Sequence, residues 1–155
     1  MKKMSRHFAS FTVIVIFLIA AIASSTGKNV TVSVQQGLIP PEFNPSKDTL
    51  LVLKNSLYGI GVAKTFRSAF KDYKGPYKLI NEKEQINYDT VNYKYVLYMS
   101  HNASNIIKAD GRPGAGTASA VIQRRSDRKE FRSVGVPDWG RLLKNYVKTL
   151  NEMIR

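Results

Sequence analysis

After Pro137 the chain places Trp139, Leu142, Leu143, Tyr146, Val147, Leu150, Met153 and Ile154 on one helical face without a miss. Asp138, just ahead of them, has the side chain of a good N-cap. An apolar stripe of that width needs a second layer to cover it, so this helix demands a partner sheet or helix.

The preceding residues supply that layer. "TLLVLKN" (Thr49 to Asn55) is a continuous apolar run, the pattern of a buried central strand. An amphipathic helix follows, with Val62, Phe66, Ala69, Phe70 and Tyr73 at i, i+4, i+7, i+8 and i+11. Gly75 is expected as its C-terminal cap, with Pro76 just beyond. "YKLIN" (Tyr77 to Asn81) then completes a βαβ unit, for which a right-handed crossover is expected. "NYKYVLYMS" (Asn92 to Ser100) reads as a further strand, followed by a long glycine-containing loop. "TASAVIQRR" and "EFRSVG" form a hairpin around Ser126, Asp127, Arg128 and Lys129.

Upstream, Val30, Val32 and Val34 alternate with polar residues as in a half-buried strand. Pro40, Pro41 and Pro45 then exclude helix and central strand, so this stretch is expected as an extended tether or a strap over the domain. The expected fold class is α+β: one small domain, a mixed β-sheet with two amphipathic helices packed on one face. The organisation is a leader over 1–23, a strand and Pro-rich tether over 24–48, and the α+β domain over 49–155.

The leader is read from Lys2, Lys3 and Arg6, the apolar run Phe8 to Ala23, and the Ala21-Ile22-Ala23 site. These are the three parts of a secretory signal peptide. An uncleaved anchor over residues 8–25 is the alternative; the run is shorter than the roughly 20 apolar residues of a spanning helix, which favours cleavage. Either way the protein is expected to be exported: secreted, periplasmic or associated with the cell envelope, with membrane contact through the N-terminal segment in the anchored case.

The 155 residues include no cysteine, which removes disulfides, zinc–thiolate sites, thiol nucleophiles and a lipid anchor on cysteine together. Formal net charge is +13, and loss of the three leader charges leaves +10. Such an excess favours an anionic partner, here an anionic envelope component or an acidic protein. Lys64, Arg67, Lys71 and Lys74 recur along the first helix opposite its apolar stripe, offset only by Asp72. The hairpin adds Arg124, Arg125, Arg128, Lys129 and Arg132 against Asp127 and Glu130. These nine residues are the candidate anionic contact. Arg141, Lys144 and Lys148 continue the pattern on the last helix. The plainer reading of each cluster is a solvated face that keeps an amphipathic element soluble.

No catalytic set, cofactor site or metal site emerges. Gly59 and Gly61 stand between a strand and a helix, but Lys64 occupies the third small position of a dinucleotide fingerprint, and Ala63 precedes Lys64-Thr65 where a P-loop needs glycine. His101 is the one histidine outside the leader. Ser100, Ser104, Asp110 and Asp127 are its available partners, yet no G-x-S-x-G elbow occurs and no second histidine supports a metal. Glu82 and Glu84 flank Lys83 in a polar turn, as solvated surface does. Asn29-Val30-Thr31 and Asn102-Ala103-Ser104 match a glycosylation sequon that is common by chance. The expectation is therefore an exported non-enzymatic binding or accessory protein with a basic surface. Two alternatives stand beside it. One is a small secreted hydrolase using His101 and the loop to Gly116. The other, if the leader is no leader, is a nucleic-acid-binding domain stacking bases on Tyr93, Tyr95 and Tyr98.

Overall fold

The computed structural model of the chain describes residues 37–54, 56, 61–102 and 116–154. The expected leader, the strand over 29–36, Gly59 and the loop residues 103–115 lie outside these. The elements follow in the order β1 (Leu50–Leu53), α1 (Val62–Phe70), β2 (Tyr77–Ile80), a 3-10 helix (Glu82–Asn87), β3 (Tyr95–Asn102), β4 (Thr117–Arg124), β5 (Lys129–Arg132) and α2 (Trp139–Glu152). Together they form a small α+β domain in which both helices pack on a five-stranded mixed sheet ordered β2-β1-β3-β4-β5. β1 pairs in parallel with both β2 and β3, while β3-β4 and β4-β5 are antiparallel. The central position of β1 explains its sequence: all four residues are buried, so no polar side chain is tolerated.

Alternation along the strands divides the sheet into two faces. Leu50, Val52, Tyr95, Leu97, Met99, Ala120 and Ile122 meet the apolar stripes of α1 and α2 in the main core. Leu51, Leu53, Ile80 and Val96 point the other way and form a smaller cluster under Tyr88, Tyr93 and Tyr98. The Lys78 ammonium lies 5.1 Å and 5.0 Å from the ring centroids of Tyr88 and Tyr93 and caps that cluster.

Residues 37–48 form a strap, held down at several points. Leu38, Ile39 and Phe43 are buried in the main core, and Phe43 meets Tyr95 edge-on at 5.0 Å. The Tyr146 hydroxyl donates to the carbonyl of Leu38, and burial of that phenol pushes its pKa up. The Tyr73 hydroxyl donates to the carbonyl of Pro45 at 3.3 Å.

Three local expectations are corrected. Helix α1 stops at Phe70, with Lys71 as its C-cap, four residues before Gly75. Gly75 does not take the left-handed cap conformation. It is required because a Cβ there would collide with the Pro45 carbonyl oxygen as the strap passes. Strand β3 begins at Tyr95 and not at Asn92, because the Asp89 carboxylate accepts the N–H groups of Val91 (2.9 Å) and Asn92 (2.7 Å) and curls the chain into a turn. Those bonds hold the Asp89 carboxyl below its ordinary range. Finally, α2 ends at Glu152, so Met153 and Ile154 pack on the core from just past the helix.

Candidate functional site

The nine candidate basic residues separate into two groups. In the hairpin, the guanidinium of Arg124 pairs with Asp127 (2.6 Å) and with Glu42 of the strap. The bonds from Arg124, with a further one from the Lys129 N–H, pull the Asp127 carboxyl down to about 2. Arg125 turns toward the chain between β2 and β3 and donates to the carbonyls of Gln85, Tyr88, Asp89 and Tyr93 at 2.8–3.2 Å. Lys129 lies 5.3 Å from the ring centroid of Phe131. Arg132 bonds Glu130 at 2.9 Å, and Glu130 also accepts the Tyr98 hydroxyl at 2.5 Å. Arg128 occupies the turn with φ 59. Most of this cluster is therefore spent within the fold: its charges brace the strap, the β2–β3 connection and the hairpin itself.

The helices differ. Lys64, Arg67, Lys71 and Lys74 are all exposed, the first two on the face of α1 opposite its apolar stripe and the last two past its end. Lys71 and Lys74 face the groove between α1 and α2, and Lys144 and Lys148 line its other side. The groove encloses about 620 Å³ and holds two carboxylates, Asp72 and Glu152, against those four ammonium groups. Lys148 and Glu152 approach to 3.9 Å, both well exposed, a pair that contributes little in water. Asn151 sets the groove floor by bonding the backbone of Asp72 and of Lys74. Lys144 and Lys148 stand outside the nine candidates, although their spacing with Arg141 along the polar face of α2 is visible in the sequence. Their convergence with Lys71 and Lys74 depends on how the helices pack.

The remaining candidates scatter. His101 is exposed near the end of β3, opposite Ala118. Gly116 passes so near that a Cβ there would sit 2.5 Å from the imidazole Nε2. Asp127 lies beyond Arg124, whose register partner is Tyr95. His101 is six positions further along β3, roughly 20 Å at about 3.3 Å per residue, so Asp127 cannot orient it. Ser104 and Asp110 lie outside the described residues. Among the three tyrosines, Tyr95 faces the helices, whereas Tyr93 and Tyr98 pack on the opposite side of the sheet. They share no stacking platform. Gly61 takes φ 85 at the start of α1, a conformation that favours glycine for backbone reasons alone. Glu84 closes a capping box with Asn81, whose backbone and side-chain bonds hold its carboxyl below the ordinary range.

Among the described residues, no cluster of three His, Asp or Glu side chains could hold a metal ion, and no helix is long and apolar enough to cross a membrane. Comparison of the chain with protein-family models, with curated proteins and with solved structures finds no match.

Proposed function

We propose that this is an exported, non-enzymatic binding protein whose α1–α2 groove holds an anionic component of the cell envelope or an acidic protein. The observation that carries the reading is the convergence of Lys71 and Lys74 with Lys144 and Lys148 on one groove. Arg124, Arg125 and Arg132 of the hairpin, by contrast, are committed to internal partners. Ammonium groups just past the end of α1 and along α2 attract a polyanion through summed charge, and Lys64 and Arg67 extend the positive surface along α1. The order of charged, apolar and small residues over 2–23 supports export.

The test is a salt titration of binding to vesicles containing phosphatidylglycerol and to poly-glutamate. Wild type is compared with a quadruple variant, Lys71→Gln, Lys74→Gln, Lys144→Gln and Lys148→Gln. Glutamine keeps helix propensity close to that of lysine at positions 144 and 148, and Lys71 and Lys74 are exposed outside the helix, so stability should hardly change. Binding to at least one probe should weaken strongly at low salt and little at high salt, because salt shortens the screening length. Superimposable curves for both probes would return the groove to a solvated face.

A further inference from the structure

The two helices lie side by side and run in the same direction. Where α2 starts, Trp139 meets Phe66 of α1 at 6.2 Å between ring centroids, and a Cβ on Gly140 would sit 3.6 Å from the Thr65 methyl. Near the end of α2, Asn151 bonds the backbone of Asp72 and of Lys74. Parallel helices arrange their outward charges in two rows. Lys64, Arg67, Lys71 and Lys74 form one row, and Arg141, Lys144 and Lys148 form the other, all of them exposed. Packed helix axes stand about 8–10 Å apart, so the cations cover an area and not a single line. Between Gly61 and Lys74 and between Asp138 and Glu152 the only carboxylates are Asp72, Asp138 and Glu152.

The other side of the sheet shows no such excess. The connection that packs Tyr88 and Tyr93 there, residues 81–94, sets Glu82, Glu84 and Asp89 against Lys83 and Lys94. Among the described residues the exposed large apolar side chains are Ile86, Val91 and Val134, none of them on a helix, so contact at the helix face rests on charge without insertion. Attraction between exposed charges fades within a Debye length, so two rows act together only on a partner that lies flat across both. A layer of anionic headgroups does so, whereas an acidic chain follows one row at a time. The path of the chain favours the same partner. Gly37 is exposed beside Leu38, which is buried on the helix side of the sheet and held by the Tyr146 hydroxyl of α2. The segment that carries the apolar run Phe8 to Ala23 therefore joins the domain on the side of the basic face. From Ala23 to Gly37 the chain reaches at most about 50 Å, which keeps that face close to any bilayer holding the run. We infer that the outer face of the helix pair lies flat against an anionic lipid surface; this rests on the function proposed above and commits it to lipid in place of an acidic protein.

The chain has no cysteine, so one introduced thiol carries a fluorophore at a single chosen place. Ser68→Cys labels the groove, and Thr90→Cys labels the connection on the other side of the sheet; both positions are exposed. The labelled full-length proteins are titrated at low salt with vesicles that carry a headgroup quencher, made of phosphatidylcholine alone or mixed with phosphatidylglycerol. With the anionic vesicles the Ser68 label should be quenched and the Thr90 label should not. The quadruple lysine variant should need about a hundredfold more lipid for half-quenching, since each lost charge near the surface weakens adhesion several-fold. High salt should act in the same direction. Quenching of the Thr90 label at least as strong as that of Ser68, or equal quenching of Ser68 in both kinds of vesicle, would overturn the inference, because an inserted apolar run alone does as much. No quenching, together with lysine-dependent binding to poly-glutamate, would overturn it too and leave the groove to an acidic protein. No response to either probe would remove the proposed function as well.

Discussion

The side-chain oxygen of Asn151 accepts the backbone N–H of Lys74 at 2.8 Å, and its amide nitrogen donates to the carbonyl of Asp72, also at 2.8 Å. One residue near the end of α2 therefore ties down the chain that leaves α1, at one end of the lysine groove. This does the work expected of a C-terminal glycine cap from a distance of 77 residues in sequence.

Asn151→Ala should remove both bonds. Both bonds are exposed and each contributes at the low end of the usual range, about 0.5 kcal/mol, so the loss in urea unfolding should be about 1 kcal/mol. Vesicle or poly-glutamate binding at low salt should fall with it, since the two lysine pairs lose their fixed separation. Wild-type stability and binding in this variant would show that helix packing alone sets the groove.

Arg125 should behave as a structural residue. Its guanidinium serves four carbonyls between Gln85 and Tyr93, a task for a planar fork with five donors that an ammonium cannot repeat. Arg125→Met should cost about 2–3 kcal/mol, and Arg125→Lys should recover only part of it. Hydrogen exchange should accelerate over residues 81–94 and remain slow in β1. Equal protection in both variants would contradict this role.

Leu143 and Leu150 of α2 are fully buried against the sheet. Leu143→Ala and Leu150→Ala should each destabilise by about 2–5 kcal/mol, read from denaturant midpoints. An effect under about 1 kcal/mol at both sites would place the helix outside the core.

The hairpin turn should weaken in acid. The folded Asp127 carboxyl titrates at about 2 against an ordinary 3.8, so its stabilisation is complete above pH 3.8 and is lost progressively as pH falls to about 2. Glu130, bonded by Tyr98 and Arg132, shifts in the same direction. Asp127→Asn should melt below wild type at neutral pH, and the gap should close between about pH 4 and pH 2. A gap independent of pH would assign the effect to something other than the Arg124 pair.

Local patterns in the sequence identify both helices, the buried run of β1, the β4–β5 hairpin and the Asp138 cap, whose carboxylate accepts the Arg141 N–H at 3.0 Å. Each of these is set by residues within one or two turns of one another, where apolar period and capping chemistry act directly. The outward direction of Lys64 and Arg67 follows from the same periodicity, since a stripe that faces the core leaves its opposite side in water, whereas Lys71 and Lys74 are exposed past the end of α1. Contacts between distant segments were decided otherwise. Gly75 reads as a helix cap until the strap crosses it at Pro45. Arg124 and Arg125 read as free surface charge until Glu42 and the carbonyls of the β2–β3 connection reach them. Lys144 and Lys148 join Lys71 and Lys74 at one groove only because both helices pack side by side on the same face of the sheet. Periodicity tells which side of an element faces water; what stands across from it there depends on long-range packing, which no local pattern encodes.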